Sequence, residues 1–141
     1  MYRISTKGQY ALLIMTDLAE SSSDSFIPLK LLSHRRNLSV KYLEQILIQL
    51  GKAGLVTGSR GSAGGYKLTK EPSEYTIGEI LRAMEGDLAP RGTNERVHLT
   101  SVSNEHFWQN FESTINEYVD SITLEELAQK NTEFAGYEYC I

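Results

Sequence analysis

The chain has 141 residues, 40% of them hydrophobic and 23% charged, enough for one compact domain or a small domain with an extension, and too apolar for disorder. No run approaches the ~20 apolar residues of a membrane span, and the start M-Y-R-I-S-T-K lacks an apolar signal core, so a cytoplasmic protein is expected. The net charge of −4 conceals two halves of opposite sign: residues 1–70 carry ten Lys and Arg against four Asp and Glu, and residues 71–141 four against fourteen. A basic first half can neutralise phosphates, and an acidic second half has to point away from them.

Taken in order, Ile4-Ser5-Thr6-Lys7-Gly8 leads into a helix over 7–21. Its apolar residues (Tyr10, Leu13, Ile14 and Leu18, with Ala11, Met15 and Ala19) cover more than one face, which predicts burial on two sides. Lys7, with the amides at the helix start, is a candidate phosphate contact. After a serine-rich loop, Pro28 opens a helix with Leu29, Leu31 and Leu32 on its apolar side, and Asn37 suits a left-handed turn. His34 reads as a helix-end residue rather than a ligand.

Ser39 to Tyr66 is the organising stretch. Ser39 caps a helix in which Leu43, Ile46, Leu47 and Leu50 share one face at about 100° per residue, with Lys41, Gln45 and Lys52 opposite. Gly54 stops that helix, Leu55 and Val56 begin a strand, residues 58–65 form a glycine-rich turn, and Tyr66 to Leu68 return. A helix with an apolar back and polar front, followed by a hairpin carrying one arginine, outlines a winged helix-turn-helix: helix in the major groove, wing on the backbone or minor groove. Gln45 can pair with adenine, Lys41 can donate to guanine or phosphate, Glu44 can accept from cytosine, and Tyr42 can reach a phosphate. Ile48 also points outward, to a thymine methyl or, more naturally, beneath the wing. Arg60 is the wing contact, with Gly61 and Gly64 giving the backbone close approach.

Thr76-Ile77-Gly78-Glu79 predicts a capping box and a helix through Ile80, Leu81 and Met84 that Gly86 ends. Residues 87–103 read as a loop, long for a compact domain. A long helix over 104–120 follows, with Phe107, Phe111, Ile115, Tyr118 and Ile122 in a stripe broadened by Trp108 and Val119. The stripe needs a partner: the first helix, a second copy, or both, with both favoured because helix-turn-helix proteins read two-fold sites as dimers. Thr123-Leu124-Glu125-Glu126 launches a short helix to about Lys130, and an aromatic tail ends in Tyr139, Cys140 and Ile141. The fold expected is mainly α with a small β-hairpin wing: a winged helix-turn-helix over 1–86, a loop over 87–103, and a dimerisation helix with C-terminal tail over 104–141. No phosphate loop, Ser-His-Asp set or His-Glu-x-x-His appears, so an enzyme is not expected. The set His98, His106 and Cys140 has no specific metal spacing, and no cofactor is expected. Glu138 and the chain carboxylate beside Cys140 disfavour a redox-sensing thiolate.

These residues closely resemble the Rrf-two family of bacterial winged-helix transcription regulators, through I-S-T-K-G-Q-Y-A-L at 4–12, L-S-V-K-Y-L-E-Q at 38–45, A-G-L-V at 53–56, R-G-S-A-G-G-Y at 60–66 and T-I-G-E-I at 76–80. The resemblance implies a homodimeric repressor of pseudo-palindromic double-stranded DNA, with Glu44 and Gln45 among the base readers. Many relatives hold an iron–sulfur cluster on three cysteines in the loop that here spans 87–103 without one, so cluster sensing is not expected. Among members without those cysteines, the resemblance is to the cysteine-metabolism repressor subgroup. It implies cysteine synthase as a partner that captures a tail ending as Tyr139 to Ile141 does, and the alternative of an interaction module that controls that enzyme.

Overall fold

The computed structural model describes residues 3–21, 25–61, 64–91 and 101–139, with residues 132–139 described by backbone alone. Their order is α1 (Thr6–Glu20), α2 (Leu29–Arg36), α3 (Val40–Lys52), β1 (Val56–Ser59), β2 (Gly65–Leu68), a 3-10 turn (Pro72–Glu74), α4 (Ile77–Glu85), α5 (Val102–Asp120) and α6 (Leu124–Tyr139).

Helix α1 is the axle. Its apolar residues fall on more than one face, and the structure packs α6, α4, α3 and β2 around it. Ala11, Ile14 and Met15 are fully buried together with Leu32 of α2 and Leu43, Ile46, Leu47 and Leu50 of α3. Leu31, expected on the apolar side of α2, is instead 43% exposed, and Leu32, with the partly buried Leu29 three residues before it, carries that helix into the core. Leu29 and Leu32 share one face of the helix at a spacing of three, and Leu31 lies about 100° away from Leu32, toward solvent.

Local chemistry sets the helix-turn-helix corner. Asn37 takes the left-handed conformation at φ 53°, and the Ser39 hydroxyl accepts from the Tyr42 amide at 3.1 Å. The fully buried Asp17 of α1 forms a two-pronged ion pair with Arg36 at the end of α2, its Oδ2 accepting from Nε at 2.7 Å and its Oδ1 from Nη2. Position 36 is thereby tied to α1 one residue before the chain turns toward α3.

The wing is narrower at its tip than the glycine content predicted. Gly58, Ser59 and Gly65 belong to the strands, which pair antiparallel from Val56 with Leu68 to Ser59 with Gly65. Ile27 adds a third edge through two backbone hydrogen bonds with Tyr66, of 2.8 and 2.9 Å. Gly65, at φ 146°, faces the Ile27 carbonyl so closely that no Cβ fits. Tyr75, fully buried, fastens the wing base: its hydroxyl donates to the Leu55 carbonyl at 2.7 Å and accepts from the Thr69 amide at 2.9 Å.

Two expectations for the second half change. The long helix does not lie on α1: α5 packs on α4, and α6 covers α1. The last helix, expected to end near Lys130, continues to Tyr139, so the tail is largely helical. Leu124 and Ala128 are buried in the same core as α1, and the Leu124 amide donates to the Tyr75 carbonyl at 3.0 Å. The threonine half of each predicted capping box forms, Thr76 to the Glu79 amide and Thr123 to the Glu126 amide, both 3.1 Å. The Glu79 carboxylate turns to Lys70 instead, at 3.0 Å.

Candidate nucleic-acid interface

The sequence of α3 divides it into a buried and an exposed half. Leu43, Ile46, Leu47 and Leu50 are fully buried, and Val40, Lys41, Glu44, Gln45, Ile48 and Lys52 are exposed. Among the described residues, the side chains of Lys41, Glu44, Gln45 and Arg60 make no hydrogen bond or ion pair, so their donors and acceptors face water. Four polar side chains held on a rigid helix and a hairpin, with no internal partner, are what base-edge and phosphate recognition requires. Gln49, which sequence reading passed over, fixes that helix: its amide donates to the Ala83 and Met84 carbonyls at 3.3 and 3.4 Å, satisfying groups at the end of α4.

The remaining predicted contacts divide. The Ser39 hydroxyl accepts the cap bond and keeps its own proton for a phosphate. Tyr42 is half-buried and meets Tyr10 edge-on, ring centroids 6.0 Å apart, which braces α3 on α1. The start of α1, offered with Lys7 as an anion site, already holds one. The Glu85 carboxylate accepts from the Ser5 amide at 2.6 Å and hydroxyl at 2.7 Å, while the Ser5 hydroxyl caps the Gly8 amide at 3.0 Å. Any role of Lys7 there rests on its ammonium alone. Gly61, at φ 102°, stands in open space as a duplex-facing turn residue should. Gly64 does not: a Cβ there would strike the Ser59 carbonyl and Arg60 backbone, so its smallness closes the hairpin on itself. Ile48, expected to pack beneath the wing, is 46% exposed, so the wing leaves much of it open. It lies within roughly 30° of the centre of the exposed arc of α3, at the helical step.

The second surface is on α5. None of its 19 residues is fully buried, while Phe107, Phe111 and Tyr118 are 55%, 41% and 65% exposed. Phe107, Trp108 and Phe111 form one aromatic cluster with centroids 5.0–6.0 Å apart. Ile115 is half-buried. Ile122 lies beyond the helix end, where its carbonyl accepts from the Ile77 amide at 2.9 Å, so it belongs to the chain's own α4–α6 junction. Arg82 anchors α5 to α4: it donates to Asp120 at 2.7 and 3.0 Å and to the side-chain Oδ1 of Asn116 at 2.7 Å. The Arg82 guanidinium holds the Asp120 carboxyl below the ordinary carboxylate range. Glu105, hydrogen-bonded to Arg91, is lowered in the same way.

Tyr139 closes α6, its side chain outside the described set, and Cys140, Ile141 and His98 lie outside the described residues. Among the described residues, no group of three or more His, Cys, Asp or Glu is placed to hold a metal ion, and no helix is long and apolar enough to cross a membrane.

A family model described as Rrf2, iron-dependent transcriptional regulator, matches residues 4–130. The chain is 40% identical over 126 residues to the HTH-type transcriptional regulator CymR of Bacillus subtilis, covering 89% of each. It is 34% identical over 132 residues to the HTH-type transcriptional regulator IscR of Vibrio atlanticus, covering 92% of this chain and 76% of that one. The structure of CymR, described as the global cysteine regulator of B. subtilis, matches with a TM-score of 0.82 and 39% identity over 92% of this chain and 98% of that one. The iron in the family description finds no thiolate set here: the chain has one cysteine, Cys140, and none at 87–103, so its residues do not fit an iron–sulfur cluster.

Proposed function

The chain belongs to the Rrf2 family of transcriptional regulators, and from that premise we propose that it is a homodimeric repressor of cysteine-metabolism genes which reads pseudo-palindromic operator DNA with α3 and its wing. One observation carries the reading. The exposed half of α3 presents Lys41, Glu44 and Gln45 without internal partners above four fully buried leucine and isoleucine side chains, and β1 packs against that helix to lead into the wing that carries Arg60. The rigid back positions the helix, and the unpaired front reads bases and phosphates. In this reading Lys41, Lys7, Ser39, Tyr42 and Arg60 touch phosphates or groove edges, and Glu44 and Gln45 discriminate bases.

The dimer follows from the stripe on α5. An exposed aromatic cluster on a long helix with no fully buried residue is the kind of apolar patch that marks an interface. A second copy covers it by two-fold symmetry and sets two reading heads about 34 Å apart. The acidic second half then points away from DNA. Cytoplasmic placement follows from a DNA partner. The similarity to CymR supports the choice of cysteine-metabolism genes, since the B. subtilis relative is described as a global cysteine regulator.

Selection of bound sequences from random duplex DNA tests the reading. Recovery of two half-sites about one helical turn apart, with binding lost in Lys41→Ala and Arg60→Ala, supports it; a gel shift indifferent to both substitutions removes it. The finer partner reading, cysteine synthase at Tyr139–Ile141, is decided by titrating that enzyme into the protein. Heat of binding supports it, and no heat with operator binding intact removes it.

A further inference from the structure

A capping box needs a carboxylate or amide on the third residue of the helix, reaching back to the amide of the capping residue. In α1 the cap is Ser5, whose hydroxyl accepts from the Gly8 amide at 3.0 Å, and the third residue is Gly8, which has no side chain to reach back. The missing half comes from another helix. Glu85, the last residue of α4 and 80 positions away, accepts through Oε1 from the Ser5 amide at 2.6 Å and from the Ser5 hydroxyl at 2.7 Å. Gly8 makes the room, since a Cβ there would strike the Glu85 carboxylate. The cap of α1 is therefore a capping box whose two halves belong to different helices.

The same turn of α4 holds the reading helix. Gln49 of α3 donates to the carbonyls of Ala83 and Met84, the two residues before Glu85. Three successive residues of α4 thus fix α3 and the start of α1 relative to one another. The start of α1 carries positive charge. Arg3, exposed, lies two residues before Ser5, and Lys7, half-buried, lies two after it. Among the described residues neither side chain makes a hydrogen bond or ion pair. By charge alone, a carboxylate between two cations is a poor neighbour for phosphates. A glutamate on residue 8 itself would cap α1 as well, with the same charge, but would leave its start untied to α4.

We propose, resting on the DNA reading above, that Glu85 is a positioning residue for operator binding: it completes the α1 cap from α4, so that Arg3 and Lys7 meet phosphates in fixed register with α3. Arg3 thereby joins Lys7 as a phosphate contact, and Glu85 strengthens binding despite its negative charge.

Thermal melting and the salt dependence of binding to a duplex selected by the wild-type chain test this. Glu85→Ala removes cap and tie together. It should melt lower, bind about tenfold more weakly at about 0.1 M salt, and show a log–log salt slope smaller by about one to two per chain. Glu85→Ala combined with Gly8→Glu restores the net charge and a local capping box without the tie. Its melting temperature should recover while affinity and slope stay low, whereas a purely structural cap would restore all three. Glu85→Gln keeps an acceptor oxygen for Ser5 without the charge and should bind at least as tightly as wild type. Arg3→Ala and Lys7→Ala should each weaken the wild type several-fold, and by less than about twofold in the Glu85→Ala background. The proposal is overturned if Glu85→Ala binds as tightly as wild type or more tightly, if the Gly8→Glu combination binds as wild type, or if Glu85→Gln is as weak as Glu85→Ala. It is equally overturned if Arg3→Ala and Lys7→Ala cost the same in both backgrounds. Wild type that selects no duplex removes the DNA reading and this proposal together; wild type that binds, with binding lost in Lys41→Ala, leaves that reading standing and puts only Glu85 at stake.

Discussion

Arg36→Ala would leave the Asp17 carboxylate without its partner inside the protein. Asp17 is completely buried, and the guanidinium supplies it with two hydrogen bonds and the compensating charge. Removing one member of a buried pair costs about 3–5 kcal/mol, because the remaining charge stays desolvated. The Arg36 side chain is 29% exposed, so water can enter from its side, and the lower end of that range, about 3 kcal/mol, is expected. Against a total stability of about 5–15 kcal/mol this is a large fraction. With a urea m-value of about 2 kcal/mol/M, the unfolding midpoint should fall by about 1.5 M. Protein concentration has to be held fixed, since association in the proposed dimer would add to apparent stability. Arg36→Lys keeps a charge but loses the two-pronged geometry, and an intermediate loss is expected. Double substitution to uncharged residues should cost less than Arg36→Ala alone. A loss below about 1 kcal/mol, the scale of an exposed ion pair, would refute the reasoning and mean that the α1–α2 corner is held by packing alone.

Tyr75→Phe removes the hydroxyl that joins Leu55 to Thr69 and strands both groups at the wing base, so a loss of about 1–3 kcal/mol in denaturant unfolding is expected. Acid should weaken the α4–α5 junction first. The Asp120 carboxyl is held below its ordinary range by Arg82, so its stabilisation is complete above its unfolded value and is lost as pH falls through the lower folded value. Asp120 is exposed enough for solvent to screen the pair, so the effect is small; it should appear as an acid-side slope of melting temperature that Arg82→Gln abolishes. Ile48, central on the exposed arc of α3, is expected to meet thymine methyls. Replacing individual thymines by uracil in a selected operator should weaken binding several-fold at one position per half-site, and Ile48→Ala should remove that sensitivity.

The parts of the fold that local chemistry decides were legible in the residues. Asn37 in the left-handed turn, the caps at Ser39 and Thr76, the Gly54 and Gly86 helix stops and the amphipathic α3 each follow from neighbours within a few positions. The misreadings concern long-range placement. Periodicity shows that α5 has an apolar stripe but not which helix lies nearest, and α6 rather than α5 took the place beside α1. The tail was read as short because its aromatic composition masks helical continuity from Leu124 to Tyr139. Lys41, Glu44 and Gln45 were legible as an exposed polar face because a polar stripe on an otherwise apolar helix is a sequence pattern, and Arg60 as an exposed residue because it stands at a glycine-rich turn. Gln49, Tyr75 and Glu85 were not, because their partners lie 34, 20 and 80 residues away. A lone tyrosine between the hairpin and the Thr76 cap was the available signal for Tyr75. Gly64 was assigned to the duplex when its small size serves the turn, since composition cannot say which backbone a glycine approaches.

The salt dependence of operator binding, measured by fluorescence anisotropy on a selected duplex, probes the reading face most directly. The wild-type affinity should fall steeply and linearly on logarithmic axes as salt rises. Lys41→Ala and Arg60→Ala should each reduce that slope by about one for every phosphate contact removed per chain. A slope near zero, or one unchanged in both variants, would contradict a duplex seated on α3 and the wing.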